Sequence, residues 1–417
     1  MSSVTKVSAK KIKPALGLVE FVSLMALMTS LVALSIDAML PALDKIGQDL
    51  AIVDPQQTHL IVSLFFIGMG FGQLYYGPVS DDKGRRYAII SGLIIFAIGS
   101  VVCMFAESLT VMLIGRVIQA FGVSGPRIAA LAVIRDQYEG EAMARVMSFI
   151  MMVFILVPML APSFGQAILL MFSWHHIFTS FLIIGLLTGV WFFVRQPETL
   201  PKEKRKPFSW QQLWVSSKFI LTHRMVMFYT ISMGLIFGGF LAYISASQTL
   251  FQHVYDTAEM FPLYFALLAF SIGLASFING TLVMRLGMRL LCNWAMIGWL
   301  IFSILLTVLC FIYQGIPPLW QFVSVLFCAF FCIGILFGNV NSMAMQPLGE
   351  MAGLGAAIIG SLSSLFSVPT AVLVGSFIED TVTPVALGFV IFGLLSLAFY
   401  WFAEHQVMGK SAAGAAD

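Results

Sequence analysis

Long apolar runs broken by short polar stretches fill almost the whole chain. Each run is close to the ~20 residues that a membrane-crossing helix needs. A transmembrane β-barrel would instead show short alternating segments of about 10 residues. The first six runs are Ala15–Leu40, Gln56–Tyr76, Tyr87–Ala106, Leu109–Val133, Arg145–Leu170 and Ile177–Val194. The first is expected to stop at Pro41. A polar stretch, 195–224, then carries Lys202, Lys204, Arg205 and Lys206 between Pro201 and Pro207. Six more runs follow: Met225–Leu250, Met260–Met284, Leu290–Tyr313, Leu319–Met345, Gly355–Phe377 and Pro384–Ala403. The expectation is an all-α integral membrane protein of twelve transmembrane helices in two pseudo-symmetric six-helix bundles. The parts are an N-terminal tail (1–14), a first bundle (15–194), a linker (195–224), a second bundle (225–403) and a C-terminal tail (404–417).

Composition agrees. The 417 residues are 59% hydrophobic and only 10% charged, with mean hydropathy +0.96. Ordinary globular chains are about 25% charged. The polar, basic start is followed by an apolar run too long for a secretory signal, so that run reads as an uncleaved first span. Cys103, Cys292, Cys310, Cys328 and Cys332 all fall in apolar runs without metal-ligand spacing and read as buried soft hydrophobes.

The net charge of +2 hides an asymmetry. Placing the N-terminus in the cytoplasm puts Lys6, Lys10, Lys11 and Lys13 on that side. Lys83, Arg85, Arg86, Arg135, Arg145, Arg285, Arg289 and the linker cations join them. Only Lys45 falls outside, with Asp44, Asp49, Asp54, Asp256, Glu259, Glu379 and Asp380. By the positive-inside rule both termini are cytoplasmic.

The most polar short run of the first half is Gly77-Pro78-Val79-Ser80-Asp81-Asp82-Lys83-Gly84-Arg85-Arg86. Its glycines, Gly77 and Gly84, suit a tight turn between two spans. Asp81 suits either the N–H groups that open the next helix or a cation of the loop, for which Lys83 is one candidate. A fainter copy, Gly280 to Arg289, falls at the matching place of the second half and lacks the acid.

Ionisable groups inside a span cost about 2.5–3.5 kcal/mol on insertion scales, so each needs a reason. Asp37 lies one turn before Pro41, where a carboxylate in an apolar wall is suited to gaining and losing a proton; a structural cap is the alternative. Arg116 lies deep in the fourth run and would act on a nearby acid or hold an anion, or belong to a buried ion pair. Arg127 follows eleven residues later, which is three turns plus about 20°, so the two share one helix face. Gln119 lies near that face. Arg127 reads equally as a cavity cation or as a gate cation for Asp136 or Asp81. The second half offers only neutral polar groups, Tyr243, Ser247, Gln248, Asn279, Asn339, Asn341 and Gln346. Glu20, near the start of the first run, reads as an interfacial acid. Pro158 and Pro162 are expected to bend the fifth run and provide a lock or hinge. His175 and His176 beside Trp174 read as an interface anchor. No nucleophile–base pair or metal constellation stands out, so neither an enzyme, a cofactor nor a metal is expected.

Together these pieces resemble the drug:proton antiporters of the major facilitator superfamily, and among them the bicyclomycin/chloramphenicol-resistance branch. The residues concerned are Asp37 to Leu43, the loop Gly77–Arg86, Arg116-x-x-Gln119-Ala120-x-Gly122, Val133 to Asp136, Val157 to Pro162, Trp174 to Phe178 and Pro197-Glu198-Thr199-Leu200. Three features depart: Asp82 stands where the pattern has Arg or Lys, Gln166 replaces the second of two glycines, and Arg127 has no counterpart. The resemblance implies alternating access in an inner membrane, with a small molecule, protons and the lipid bilayer as partners, no nucleic acid, and a monomer. Asp37 and Arg116 would be the proton-coupling pair. Arg127, Gln119, Tyr243, Gln248, Asn339 and Asn341 would line the cavity. Gly77, Asp81, Gly84, Arg85 and Arg86 would gate it. The main expectation is a proton-coupled exporter of a drug or metabolite. An importer on the same scaffold is the alternative, and a non-transporting receptor the third.

Overall fold

The computed structural model describes residues 16–413 apart from positions 54, 139, 206, 208 and 379. The expected tail 1–14, with Lys6, Lys10, Lys11 and Lys13, and Asp54, Lys206 and Glu379 of the charge count lie outside the described residues. Helix is the only regular structure among those described. Its elements are α1 (Leu18–Asp37), α2 (Leu43–Asp49), α3 (His59–Lys83), α4 (Arg85–Met104), α5 (Leu109–Gln137), α6 (Gly140–Met171) and α7 (His175–Arg195). Then come α8 (Trp210–Thr222), α9 (Arg224–Thr249), α10 (Phe261–Leu286), α11 (Met288–Ile312), α12 (Leu319–Met345), α13 (Ala352–Gly375) and α14 (Thr383–Ala413). Among the described residues, 11 segments are long and apolar enough to cross a membrane, and α6 adds the apolar stretch Leu156–Met171.

Several boundaries differ from expectation, each for a local reason. Pro41 does not end the first span. The α-helix ends four residues earlier at Asp37, and the chain continues through a tight helical turn, Leu40–Ala42, into α2. Pro41 sits in the opening turn of that segment, where a missing N–H costs nothing. Helix α6 runs unbroken through Pro158 and Pro162. The linker is partly helical, since it contains α8. The last helix continues past Ala403 to Ala413.

The polar run after the second span is not a loop over its whole length. Helix α3 passes through Gly77 and Pro78 and stops at Lys83, so the turn is Gly84 alone. Gly84 has φ 103° and ψ 162°, and α4 begins at the next residue. Gly287, between α10 and α11, repeats this with φ 79° and ψ 155°. Positive φ is cheap only for glycine. The echo between the halves is therefore one backbone turn built twice.

Helices α1 and α3–α7 pack on one another, as do α9–α14. The two sets meet mainly along α3–α13 and α6–α10, with α9 crossing to α3 and to the turn at 40–42. This seam runs through the molecule beside Asp37. Charged contacts gather at its two ends. At one, which we term the basic end, Glu20 accepts from Arg195 at 2.8 and 2.9 Å and from Trp191 Nε1 at 3.2 Å. At the same end of the second half, Glu404 accepts from the Tyr229 hydroxyl and lies 3.4 Å from Arg289. Each half thus ties its first and sixth spans together with one glutamate. The start of α1 and the last turns of α14 lie at that same end.

Candidate transport pathway and its gates

Asp37 is the last residue of α1 and is 5% exposed. Its carboxylate has no hydrogen bond and no ion pair among the described residues. The turn 40–42 that follows α1 packs on α9 of the second half, and Tyr243 of α9 lies near enough to Asp37 to feel its charge. Tyr243 is 1% exposed, and its hydroxyl also has no partner among the described residues. The ring is fixed by Phe330 at 4.8 Å, edge-on, and by Phe265 at 6.3 Å, stacked. A buried acceptor and a buried donor, both unpaired among the described residues, thus stand on opposite sides of the seam.

Arg116 is fully buried, but its bonds do not go to Asp37. Nη1 donates to the Ser35 carbonyl at 3.0 Å and to Gln119 Oε1 at 2.6 Å, and Nε donates to the Ile61 carbonyl at 3.1 Å. The guanidinium lies over the Phe65 ring, 4.3 Å from its centre. Nη2 is buried without a partner among the described residues. Arg116 thus grips the backbone of α1 two residues before Asp37, from α5, and rests on α3. Gln119 is drawn into this framework rather than into a cavity, since its Nε2 donates to Ser100 of α4 at 2.8 Å.

Arg127 lies on the same side of α5, as the helix arithmetic requires. It is half-buried, and Nη1 lies 3.2 Å from Met69 Sδ on α3, the helix that also carries Phe65. It pairs with neither Asp81 nor Asp136, so the gate-cation reading is not met. Both carboxylates belong to Arg85, whose Nη1 reaches Asp81 at 2.5 Å and Ser80 at 3.0 Å while Nε reaches Asp136 at 3.0 Å. Lys83 does not serve Asp81 either; its ammonium lies over the Tyr87 ring, 4.8 Å from the centre.

The role that sequence reasoning missed at this end is that of Glu198, noted there only as part of the linker motif. Gly84 has no side chain to cap α4, so the orphan N–H groups need another acceptor. Glu198 Oε1 accepts from Arg85 N at 3.0 Å, and Oε2 from Arg86 N at 3.1 Å. Thr199 Oγ1 donates to Asp136 at 2.8 Å, and Arg86 Nη2 to the Phe193 carbonyl at 2.7 Å. The start of the linker is docked on the α3–α4 turn. A helix opened by glycine and followed by two arginines was the available signal that an acid must come from elsewhere.

At the opposite end the halves are latched across the seam. His253 Nε2 donates to Asp44 Oδ2 at 2.8 Å. His59 Nδ1 donates to the Ser245 carbonyl at 2.6 Å, and the Ser63 and Ser245 hydroxyls are 3.4 Å apart. Within the first half at this end, Trp174 Nε1 donates to Asp49 at 2.6 Å, with His175 stacked on the indole at 3.7 Å.

The second half meets the seam with aromatic rings more than amides. Phe237 lies edge-on to Phe66 of the first half at 5.1 Å and adjoins Phe337 at 5.9 Å, while Phe240 adjoins Phe330 at 5.5 Å. Of the amides expected there, Asn339 is paired reciprocally with Asn279 at 2.8 and 3.2 Å, and Gln248 donates to Gln252 at 2.7 Å. Asn341 is half-buried. Thirty-eight phenylalanines in an apolar sequence hide such a cluster, because lipid-facing and pathway-facing rings look alike before folding.

A two-half helical bundle with one bare acid at its seam is the construction of a secondary transporter, and comparison with known proteins agrees. A sequence profile of the Major Facilitator Superfamily matches residues 25–371. The chain belongs to that family: it is a transporter and not an enzyme, with a small molecule as its substrate. An uncharacterized MFS-type transporter of Bacillus subtilis, YdgK, is 31% identical over 92% of this chain and 95% of its own length. A bicyclomycin resistance protein homolog of Haemophilus influenzae is 27% identical over 93% of this chain and 96% of its own. The multidrug resistance protein MdtL of Escherichia coli is 28% identical over 78% and 80%. These relatives agree with the antiporter-branch resemblance. Among solved structures, the E. coli xylose transporter XylE in a partially occluded inward-open conformation superposes with a TM-score of 0.69 at 14% identity, covering 92% of this chain and 98% of that one. The human organic anion transporter MFSD10 gives 0.66 at 17% identity, over 93% and 100%. At such identities these two speak for the fold.

Proposed function

We propose that this transporter exports a small molecule in exchange for protons, with Asp37 as the group that carries the proton. The observation behind the reading is a bare carboxylate at the seam, 5% exposed and unpaired. A charge left so costs free energy unless a proton or a new partner neutralises it. Two unpaired buried donors belong to the same region, Tyr243 Oη and Arg116 Nη2. When Asp37 gives up its proton, these donors are the bonds it can gain, and the one on Tyr243 belongs to the other half, so gaining it depends on how the halves stand. Proton exchange is thereby tied to conformation. Arg116 acts as a positioning residue through the Ser35 carbonyl.

The bundles 15–194 and 225–403 move against each other, with 195–224 docked on the first by Glu198. The basic end faces the cytoplasm of an inner membrane, which puts the Asp44–His253 latch outside and both termini inside. Export is favoured over import by the Pro158–Pro162 pair and by the resistance proteins among the relatives. The aromatic wall of α9 and α12 suits flat, apolar compounds, and Arg127 suits a negative charge on them. The protein functions as a monomer in this scheme.

Everted membrane vesicles with an acid interior and a pH-sensitive dye test this. Cationic, neutral and anionic compounds are added to wild type, Asp37→Asn and Arg127→Ala. Proton release provoked by a compound in wild type and absent in Asp37→Asn is the expected result. Release that survives Asp37→Asn removes Asp37 from the mechanism. Release only with anions, lost in Arg127→Ala, assigns Arg127 to the substrate.

A further inference from the structure

A groove of about 420 Å³ opens on the outer surface of the bundle along the α6–α10 seam. Leu160, Leu170 and Leu263 on its walls are 63%, 78% and 59% exposed, so it faces the acyl chains of a bilayer. Its bounds on α6, Met159 to Leu170, span about 16 Å by the helix rise. One leaflet of the hydrocarbon core is about 15 Å thick. Only one lining residue is charged. This is Glu259, exposed on the turn Ala258–Met260 just before α10, at the mouth of the groove where headgroups lie. Two neutral polar groups line the groove: Gln166, about one turn below the Leu170 level and at the depth of a glycerol ester, and Ser163 about one turn deeper.

We propose that this groove is a binding site for a membrane phospholipid with an ammonium headgroup, phosphatidylethanolamine being the type. One acyl chain fills the apolar slot, and the ammonium donates to Glu259. Depth and charge fit at once: an open groove one leaflet long with a lone carboxylate at its polar end. An anionic headgroup would meet that carboxylate with repulsion. The site is shared by the two halves, so an occupant stabilises whichever conformation keeps α6 and α10 apposed as here. The lipid is thus a ligand of the conformational equilibrium, whatever the transported compound.

The test needs no transport substrate. Purified full-length protein in detergent receives phosphatidylethanolamine, phosphatidylcholine, phosphatidylglycerol or dodecyltrimethylammonium. Retained lipid is counted by native mass spectrometry and the unfolding midpoint is recorded. Glu259→Gln removes the charge, and Ala167→Phe fills the groove from its exposed wall without entering the core. Phosphatidylethanolamine is expected to be retained and to raise the midpoint above all other additions. Glu259→Gln should level it with phosphatidylcholine, and Ala167→Phe should abolish the gain. Equal effects of phosphatidylethanolamine and phosphatidylglycerol would overturn the proposal. So would a selective gain that persists in both variants, which would place the lipid elsewhere, or a gain from dodecyltrimethylammonium alone.

Discussion

Arg116 holds the backbone carbonyl of Ser35 at 3.0 Å and leaves the carboxylate of Asp37, two residues on, without a cation. An ion pair between them would have quenched the charge. Holding the backbone instead sets the position of Asp37 and leaves its carboxylate unpaired. The distinction separates the expected effects of substitutions at the two sites.

Asp37→Asn keeps the volume and removes the proton. Folding and substrate exchange without a gradient should persist, while gradient-driven transport falls at least tenfold. Dye-monitored vesicle transport beside a counterflow assay makes the comparison. Loss of both activities would mean that Asp37 contacts the substrate. Tyr243→Phe deletes only the unpaired hydroxyl, so it should leave the unfolding midpoint unchanged while weakening coupling to pH.

Arg116→Ala would strand the Ser35 carbonyl and Gln119 Oε1 in the interior and remove the second bond to the Ile61 carbonyl. Each buried orphan costs about 1–3 kcal/mol, so the protein should be destabilised by several kcal/mol and transport abolished. Arg116→Lys restores the charge but not the planar fork and should recover stability only in part. Thermal unfolding in detergent reads the order wild type, Lys, Ala. An equal midpoint for all three would show that the buried network contributes nothing.

Gly84 and Gly287 adopt the same turn but stand in different surroundings. A Cβ at Gly84 would run into the Glu198 carboxylate and Arg205, whereas one at Gly287 meets nothing within 4 Å. Gly287→Ala should cost only the conformational strain, about 1–2 kcal/mol. Gly84→Ala should cost more and also dislodge Glu198 from the N-terminus of α4. Glu198→Ala should mimic the second effect alone, at about 1–2 kcal/mol for the lost cap. Unfolding midpoints and protease cleavage in the 195–224 segment distinguish the three.

The Asp44–His253 pair is 32% and 59% exposed, so it is worth at most about 1 kcal/mol. Removing it should shift the balance between closed and open forms by up to about fivefold, without unfolding. Ser63→Cys, buried beside the latch, reports the opening through its reaction with a membrane-impermeant maleimide. Asp44→Asn added to it should speed the reaction a few-fold. An unchanged rate would mean that His59 and Ser245 hold this end alone.

The spans were legible from the apolar runs because a bilayer has one thickness and leaves no unpaired backbone inside it. Their ends were less so. Whether a proline stops a helix depends on which turn it occupies, and Pro41 falls where its missing N–H does no harm. The loop reading of Gly77 failed likewise, because a glycine breaks a helix only if its φ changes sign, and Gly84 took that role.

By itself the sequence determined that the chain crosses a membrane repeatedly, where its cations collect, and that Asp37, Arg116 and Arg127 are the costly groups to explain. These follow from transfer free energies, which are properties of single residues and short windows. Only the tertiary structure decided that Arg116 serves the Ser35 carbonyl, that Arg85 takes both Asp81 and Asp136, that Glu198 caps α4, and that Tyr243 of the other half comes near Asp37. A hydrogen bond is settled within about 3 Å, and which distant groups come that close depends on how the helices pack.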